Sequence, residues 1–332
     1  MADEIPFIPA VPPKLREAAL RGTLIPFVGA GASRLAGCPT WAQFADKALQ
    51  AFIDGGKFSY GQLDQIRHLN PRVKLSIAQG LQAQHKFLIN YAAIINPEGG
   101  YDNEIGRRLY GALAQLGQTF VTTNYDTWLD TEPASSKPPS VAVGQQLTAP
   151  PTPTNRRVFY DSNSFTIANL NQPKTVFHLH GLLSDPSSMV ITTRDYITHY
   201  ANDRHADDPT KENRTLTFLD HLFSNKTVLF VGYGVEELEI LEYVIQKGRI
   251  VPEDGEAEAK HFMLQGFYGH EFELMRSLTQ YYKQCDIQVL PFRKDQRDWH
   301  QLLEVLDEFA KAIPAAQIMN LQKLTEMESF LD

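Results

Sequence analysis

The run Leu24-Ile25-Pro26-Phe27-Val28-Gly29-Ala30-Gly31-Ala32-Ser33-Arg34 carries a β-strand straight into a turn with two glycines one residue apart. Glycine lets a backbone pass close to another backbone or to a phosphate. A helix starting at such a turn aims unpaired N–H groups and the positive end of its dipole at an anion. Two readings fit the pattern, a tight strand-to-helix connection and a nucleotide-diphosphate site. Three further runs bear on the choice. Phe120-Val121-Thr122-Thr123-Asn124-Tyr125-Asp126 is an apolar strand ending in small polar groups where a helix is expected to begin. Thr175-Val176-Phe177-His178-Leu179-His180-Gly181 delivers an imidazole and then a glycine. Lys226-Thr227-Val228-Leu229-Phe230-Val231-Gly232-Tyr233-Gly234 stops at glycines, with Glu236 and Glu237 in an expected first helical turn. In an open parallel sheet, strand ends face the ligand crevice, so four such ends in one chain predict one site.

Between these runs the spacing is helical. Lys14 to Arg21 predicts a short amphipathic helix, and Trp41, Phe44, Ala45, Ala48, Leu49 and Phe52 repeat at helical intervals. Residues 61–115 read as a helical insertion of short helices broken at Asn70-Pro71 and Asn96-Pro97. Residues 131–155 hold six prolines, from Pro133 to Pro153, and predict a proline-rich loop. Further strands are expected at Met189 to Thr192, His261 to Leu264 and Ile287 to Leu290, the last ended by Pro291. Helices are expected to open at Arg194-Asp195-Tyr196 and to cover Leu216 to Leu222, Leu238 to Ile245 and Trp299 to Ile313; Asp203 to Arg214 is a charged outward loop. The alternation predicts an α/β, Rossmann-like, doubly wound parallel sheet, one domain over residues 1–332 with a C-terminal tail at 314–332.

With 332 residues, 43% of them hydrophobic, the chain is long enough to bury a sizeable core. A formal net charge of −8 argues against direct nucleic-acid binding, which needs clustered cations. Two cysteines, a start unlike a signal peptide and the lack of a long apolar run predict a cytoplasmic protein that contacts no membrane.

Taken in order, Gly29-Ala30-Gly31-Ala32-Ser33, Thr123-Asn124-Tyr125-Asp126, His180-Gly181 and Gly232-Tyr233-Gly234 resemble the catalytic core of the sirtuin superfamily, in its bacterial sirtuin-like branch, over about residues 24–240. The resemblance implies NAD+ as substrate and cleavage of the bond between nicotinamide and ribose. It implies that Gly29, Ala30, Gly31 and Ser33 line the pyrophosphate, that Asn124 beside Thr123 holds the nicotinamide ribose and a water, and that Asp126 grips the carboxamide. His180 matches the catalytic base, and the turn Gly232-Tyr233-Gly234 faces the adenosine. Gly234 stands where family members commonly carry serine. The paired cysteines of a zinc module cannot be assembled from Cys38 and Cys285 alone, so no metal site and no zinc are expected. The long helical segment, unlike the surroundings of the acyl-lysine cleft in deacylases, is expected to cover the nicotinamide end.

These features favour an NAD+ glycohydrolase (NADase) over a deacylase. Departure of nicotinamide leaves an oxocarbenium-like ribose carbon, and a neutral imidazole at His180 suits a proton acceptor near neutral pH. By analogy, the resemblance implies a gated effector of bacterial antiphage defence acting by NAD depletion. Gating implies a large homo-oligomer, a HerA-type ATPase or an Argonaute-like partner. The competing readings are a non-catalytic module that binds NAD or ADP-ribose to control assembly, and an ADP-ribosyltransferase. Simpler roles stand beside these for single residues: Asn124 and Asp126 as caps of a following helix, His178 with His180 as a His-x-His metal pair, and Tyr233 as packing. Arg34 is open to a phosphate or a carboxylate, and Trp41 and Trp299 read as core.

Overall fold

The computed structural model describes residues 4–132, 155–201, 213–234 and 259–313. In chain order, α1 (Pro13–Leu20) leads into β1 (Leu24–Val28), followed by α2 (Ala30–Leu35), α3 (Trp41–Asp54), α4 (Tyr60–Gln65), α5 (Pro71–His85), α6 (Tyr91–Ile95) and α7 (Glu104–Leu116). Then come β2 (Thr119–Thr122), β3 (Arg157–Phe159), α8 (Ile167–Leu170), β4 (Thr175–His178), α9 (Thr193–His199), α10 (Arg214–Asn225) and β5 (Thr227–Val231). The last elements are β6 (His261–Phe267), α11 (Phe272–Lys283), β7 (Ile287–Arg293) and α12 (Gln301–Ala312). The strands form one sheet in the order β3-β4-β2-β1-β5-β6-β7, with every pairing parallel. The chain starts at the centre with β1 and β2, crosses to the edge strand β3, comes back to place β4 between β2 and β3, and then returns beside β1 to build β5, β6 and β7 outward to the other edge. This is the α/β doubly wound, Rossmann-like sheet, and its switch point lies at β1.

Helices cover both faces, so the central strands are apolar on both sides rather than alternating. All five residues of β1 are buried. Leu24 and Val28 pack with α1, α7 and α12, whereas Ile25 and Phe27 pack with α10 and α11 on the opposite face. Pro26 is tolerated in this central strand because the ladder to β2 begins only at Phe27, leaving the ring against Gly117. Pro291 likewise does not end its strand as expected. β7 runs on to Arg293, since an edge strand needs no donor on its outer side.

A third core lies apart from the sheet. Helices α3, α5 and α6 pack together with Tyr125, Leu183, Met189 and Ile191. The span 61–115 thus crosses two environments: α5 and α6 belong to this block, while α7 packs on the sheet. Asn70-Pro71 starts a helix here, with the Asn70 side chain accepting from Arg72 N and Pro71 in the first turn.

Two expectations about local structure are corrected. Met189 to Thr192 forms no strand. The Met189 and Ile191 side chains join the helical core, and the backbone bonds are scattered instead of forming a ladder: Val190 N–H donates to the His180 carbonyl at 2.9 Å and the Val190 carbonyl accepts from the Tyr125 hydroxyl at 2.7 Å, before Thr192 caps α9. No helix follows β2, where residues 123–130 form a turn, so Asn124 and Asp126 cap nothing. The helix expected at Leu238 to Ile245, Glu236, Glu237, the 314–332 tail, most of the proline-rich loop and nearly all of Asp203 to Arg214 lie outside the described residues. Among the described residues no helix is long and apolar enough to cross a membrane.

Candidate active site

A cleft of about 680 Å³ opens at the carboxyl ends of the central strands, where the chain reverses its direction of sheet building. Its walls include Gly31, Arg34, Asn124, Asp126, His180 and Gly232, one or more from each of the four strand ends. It continues over the ends of β6 and β7 to Leu264, Phe292 and Trp299.

At the floor, two strand-end loops touch backbone to backbone. Gly31 N–H donates to the Gly232 carbonyl at 2.8 Å, and Gly29 N–H donates to the Val231 carbonyl at 2.9 Å. A Cβ on Gly31 would sit 2.7 Å from the Gly232 oxygen, and one on Gly232, whose φ is +65°, would sit 2.3 Å from Ala32 N. Both glycines are therefore required by this contact. The Gly31 amide, expected to face an anion, is engaged with Gly232 instead. Ala30 and Arg34 remain on the cleft wall, and Arg34 is exposed with no ion pair among the described residues.

A chain of hydrogen bonds joins the first strand end to the second. Ser33 Oγ donates to Asp126 Oδ2 at 2.6 Å and accepts from Asn124 Nδ2 at 2.7 Å. Because the serine proton goes to the carboxylate, the Tyr110 hydroxyl 3.1 Å away is the donor in their contact. Asn124 Nδ2 also donates to the Gly29 carbonyl at 3.0 Å, which occupies both amide hydrogens. Asp126 Oδ1 accepts from Trp128 N–H at 3.2 Å, so each carboxylate oxygen already has a partner. Burial raises the Asp126 pKa, opposed by the bonds from Ser33 and Trp128. Thr123 also lines the cleft, and its buried hydroxyl has no hydrogen-bond partner among the described residues.

His178 sits behind this turn. Its Nδ1 lies 2.8 Å from the Asn124 carbonyl and its Nε2 2.9 Å from Asp130 Oδ1. Two acceptors call for two N–H groups, hence an imidazolium. Burial disfavours that charge, but the hydrogen bond and charge of Asp130, with the Asn124 carbonyl, outweigh it and raise the pKa. With both nitrogens engaged, His178 cannot form the metal pair with His180. Among the described residues no His, Cys, Asp or Glu cluster is arranged to hold a metal.

His180 follows β4 at the cleft wall, 6% exposed. Its Nε2 lies 2.7 Å from the Tyr200 hydroxyl and its Nδ1 3.4 Å from the Tyr196 hydroxyl. Burial, then the nearby His199 and Arg72, hold its pKa well below the usual histidine value, so the ring is neutral at pH 7. The next residue must be glycine: Gly181 has φ +85°, and a Cβ there would meet the Ser188 carbonyl at 2.2 Å.

Residues 118–286, half of the chain, match the SIR2-like domain. The chain belongs to the SIR2-like domain family. Members of that family use NAD+ as substrate. A search of curated proteins gives no match. The SIR2-like match begins just before β2 and ends before β7, so the glycine turn at Gly29 to Gly31 precedes it. That turn is nonetheless bonded into it through Gly232 and Asn124.

Some side chains take other places than the sequence suggests. Trp41 and Trp299, expected in the core, are half-buried: each packs against a core cluster and also lines the cleft. Tyr233 packs its ring edge-on to Phe27 in the core, as the packing reading expects, and Tyr233 and Gly234 also line the cleft. Tyr196, His199 and Tyr200 surround His180, and the Arg72 guanidinium lies 4.4 Å over the Tyr196 ring. Sequence reasoning missed this group. Its one visible signal was the helix opening at Arg194-Asp195-Tyr196, whose aromatic face is recognisable only once α9 is seen against β4.

Proposed function

We propose that the chain is an NAD+ glycohydrolase, cleaving NAD+ to nicotinamide and ADP-ribose in the cleft at the switch point. The observation that carries this reading is the meeting of the Gly31–Gly232 floor, the Ser33–Asn124–Asp126 chain and a neutral His180 on the walls of one cavity. Its volume of about 680 Å³ falls within the roughly 300–1,000 Å³ of small-molecule and cofactor sites. The fit to a dinucleotide is supported by glycines that bring the floor close, by the Thr123 hydroxyl, without a partner among the described residues, and by Arg34 as a cation for the pyrophosphate.

In this reading the dinucleotide lies across the sheet ends, with adenosine toward Gly232 to Gly234 and Trp299 and the nicotinamide ribose toward Asn124 and His180. Asn124 has both amide hydrogens bound within the protein, so it offers Oδ1 to a ribose hydroxyl or a water. Asp126 orients Ser33 and has lone pairs left for the carboxamide. As the glycosidic bond breaks and its electrons leave with nicotinamide, water adds to the ribose carbon. His180 takes the water's proton, giving ADP-ribose and an imidazolium that later releases the proton to solvent. The zinc-free chemistry needs no group beyond these side chains.

Loss of an essential cofactor suits a gated, cytoplasmic effector of antiphage defence. We extend the proposal to a large homo-oligomer or a HerA-type ATPase or Argonaute-like partner as the gate, with no direct contact to nucleic acid or membrane. The test is release of nicotinamide from NAD+ by the full chain, alone and with the proteins encoded beside it. Equal amounts of nicotinamide and free ADP-ribose are expected. Label on a macromolecule would favour ADP-ribosyl transfer, and NAD+ binding without any cleavage would favour the assembly module.

A further inference from the structure

His180 has two ring nitrogens in different surroundings. Nδ1 lies toward Tyr196, which lines the cleft; Nε2 is 2.7 Å from the hydroxyl of Tyr200, which does not. A neutral imidazole carries one proton, so only one of the two can accept another. A base that serves the cleft needs its bare nitrogen there, and the proton must then reside on Nε2. We propose that Tyr200 is the positioning residue for His180: its hydroxyl oxygen accepts from Nε2–H, fixes that tautomer and turns an unprotonated Nδ1 to the cleft. The inference rests on the reading of His180 as the base, and deepens it by naming the atom that takes the proton.

The surroundings fit this division of labour. At 2.7 Å the Tyr200 contact is a full hydrogen bond, whereas the Tyr196 hydroxyl at 3.4 Å is too far to compete strongly for Nδ1. Tyr200 ends α9, directly after His199, with its N–H donating to the Tyr196 carbonyl at 3.1 Å, and Thr192 caps the other end of that helix. There the Thr192 side chain accepts from Asp195 N while the Asp195 carboxylate accepts from Thr192 N. The other groups facing the His180 ring are Tyr125 after β2, Tyr196 and His199 of α9, and Arg72 of α5. Among these Tyr200 makes the shortest contact to a ring nitrogen. When a water's O–H bond breaks, its proton goes to Nδ1, and the resulting imidazolium keeps its Nε2–H on Tyr200. A hydroxyl placed to accept from the charged ring stabilises it more than the neutral ring.

The test is long-range ¹⁵N–¹H correlation of the histidine-labelled full chain at neutral pH, with His180 assigned by its loss in His180→Ala. The expected result is an unprotonated Nδ1 and a protonated Nε2. In Tyr200→Phe, which removes only the hydroxyl, this preference should be lost and kcat should fall about tenfold, while the affinity for NAD+ stays within about twofold. A protonated Nδ1 in the wild-type protein overturns the proposal, as does Tyr200→Phe with tautomer and kcat both unchanged. If the wild-type protein cleaves no NAD+ under any condition, the glycohydrolase reading fails, and the wild-type tautomer still decides this inference.

Discussion

The two sides of the cleft are built from different kinds of contact. On the sheet side, Gly31 and Gly232 meet backbone to backbone, Asn124 is pinned by the Gly29 carbonyl and Ser33, and His178 clamps the turn from behind. On the helical side, His180 is surrounded by Tyr196, His199 and Tyr200, and Arg72 is stacked on Tyr196, all side chain against side chain. Backbone bonds between adjacent strand ends leave few alternative arrangements. Side-chain contacts from α5 and α9 can be exchanged at small cost. The difference suggests that the sheet side fixes where a dinucleotide lies and the helical side sets how the base behaves.

Substitutions that separate the two sides test this most strongly at the base itself. His180→Ala should lower turnover of NAD+ by about 10²- to 10⁴-fold, measured as nicotinamide release, with NAD+ affinity little changed. The same base predicts a pH profile. Because its pKa is held well below the usual value, it protonates only in more acidic solution, so the acid limb of kcat/KM should lie below pH 6.5. A limb at or above that value would place the base elsewhere.

Next in size is the floor. Gly232→Ala combines a left-handed φ with a Cβ 2.3 Å from Ala32 N, and should cost about 2–4 kcal/mol in urea unfolding. Here stability and NAD+ affinity are expected to fall together, unlike at His180.

The clamp behind the turn should show a pH dependence of stability. Folding raises the His178 pKa, so its contribution is complete below the unfolded value near 6.5 and is lost as pH rises through the folded value. His178→Gln should therefore destabilise by about 1.5–3 kcal/mol at pH 6 and by less at pH 9, read as the gap between unfolding midpoints. A gap that widens with pH would mean that the ring is neutral in the fold. The smallest effect belongs to the periphery of the helical side. Arg72→Ala removes a cation–π contact of about 0.5–1 kcal/mol and should alter turnover by no more than a few-fold.

What could be read from the sequence follows the same division. The parallel sheet and the four strand ends were legible because apolar runs and glycines are local signals, set by residues adjacent in the chain; the switch point at β1 came only with the strand order. Pro291 misled because a proline's meaning depends on whether its strand lies at an edge, which only the strand order decides. Met189 to Thr192 misled because its apolar residues serve a helical core instead of a ladder. The role of Gly31 was legible only in part. The need for glycine was clear, but the partner is the Gly232 carbonyl, 201 residues later in the chain (232 − 31), and no local pattern announces it. The ring around His180 was invisible for a related reason. Tyr196 and Tyr200 look like ordinary helix aromatics until α9 is packed against the end of β4.

A crystal structure of the full-chain His180→Ala variant soaked with NAD+ tests both where the dinucleotide lies and which way it points, without depending on how activity is gated. The pyrophosphate is expected over the Gly31–Gly232 contact, the nicotinamide ribose within hydrogen-bonding distance of Asn124 and beside position 180, and adenine toward Trp299. A dinucleotide bound in the reverse direction, with nicotinamide at Trp299, or bound outside this cleft, would contradict this placement.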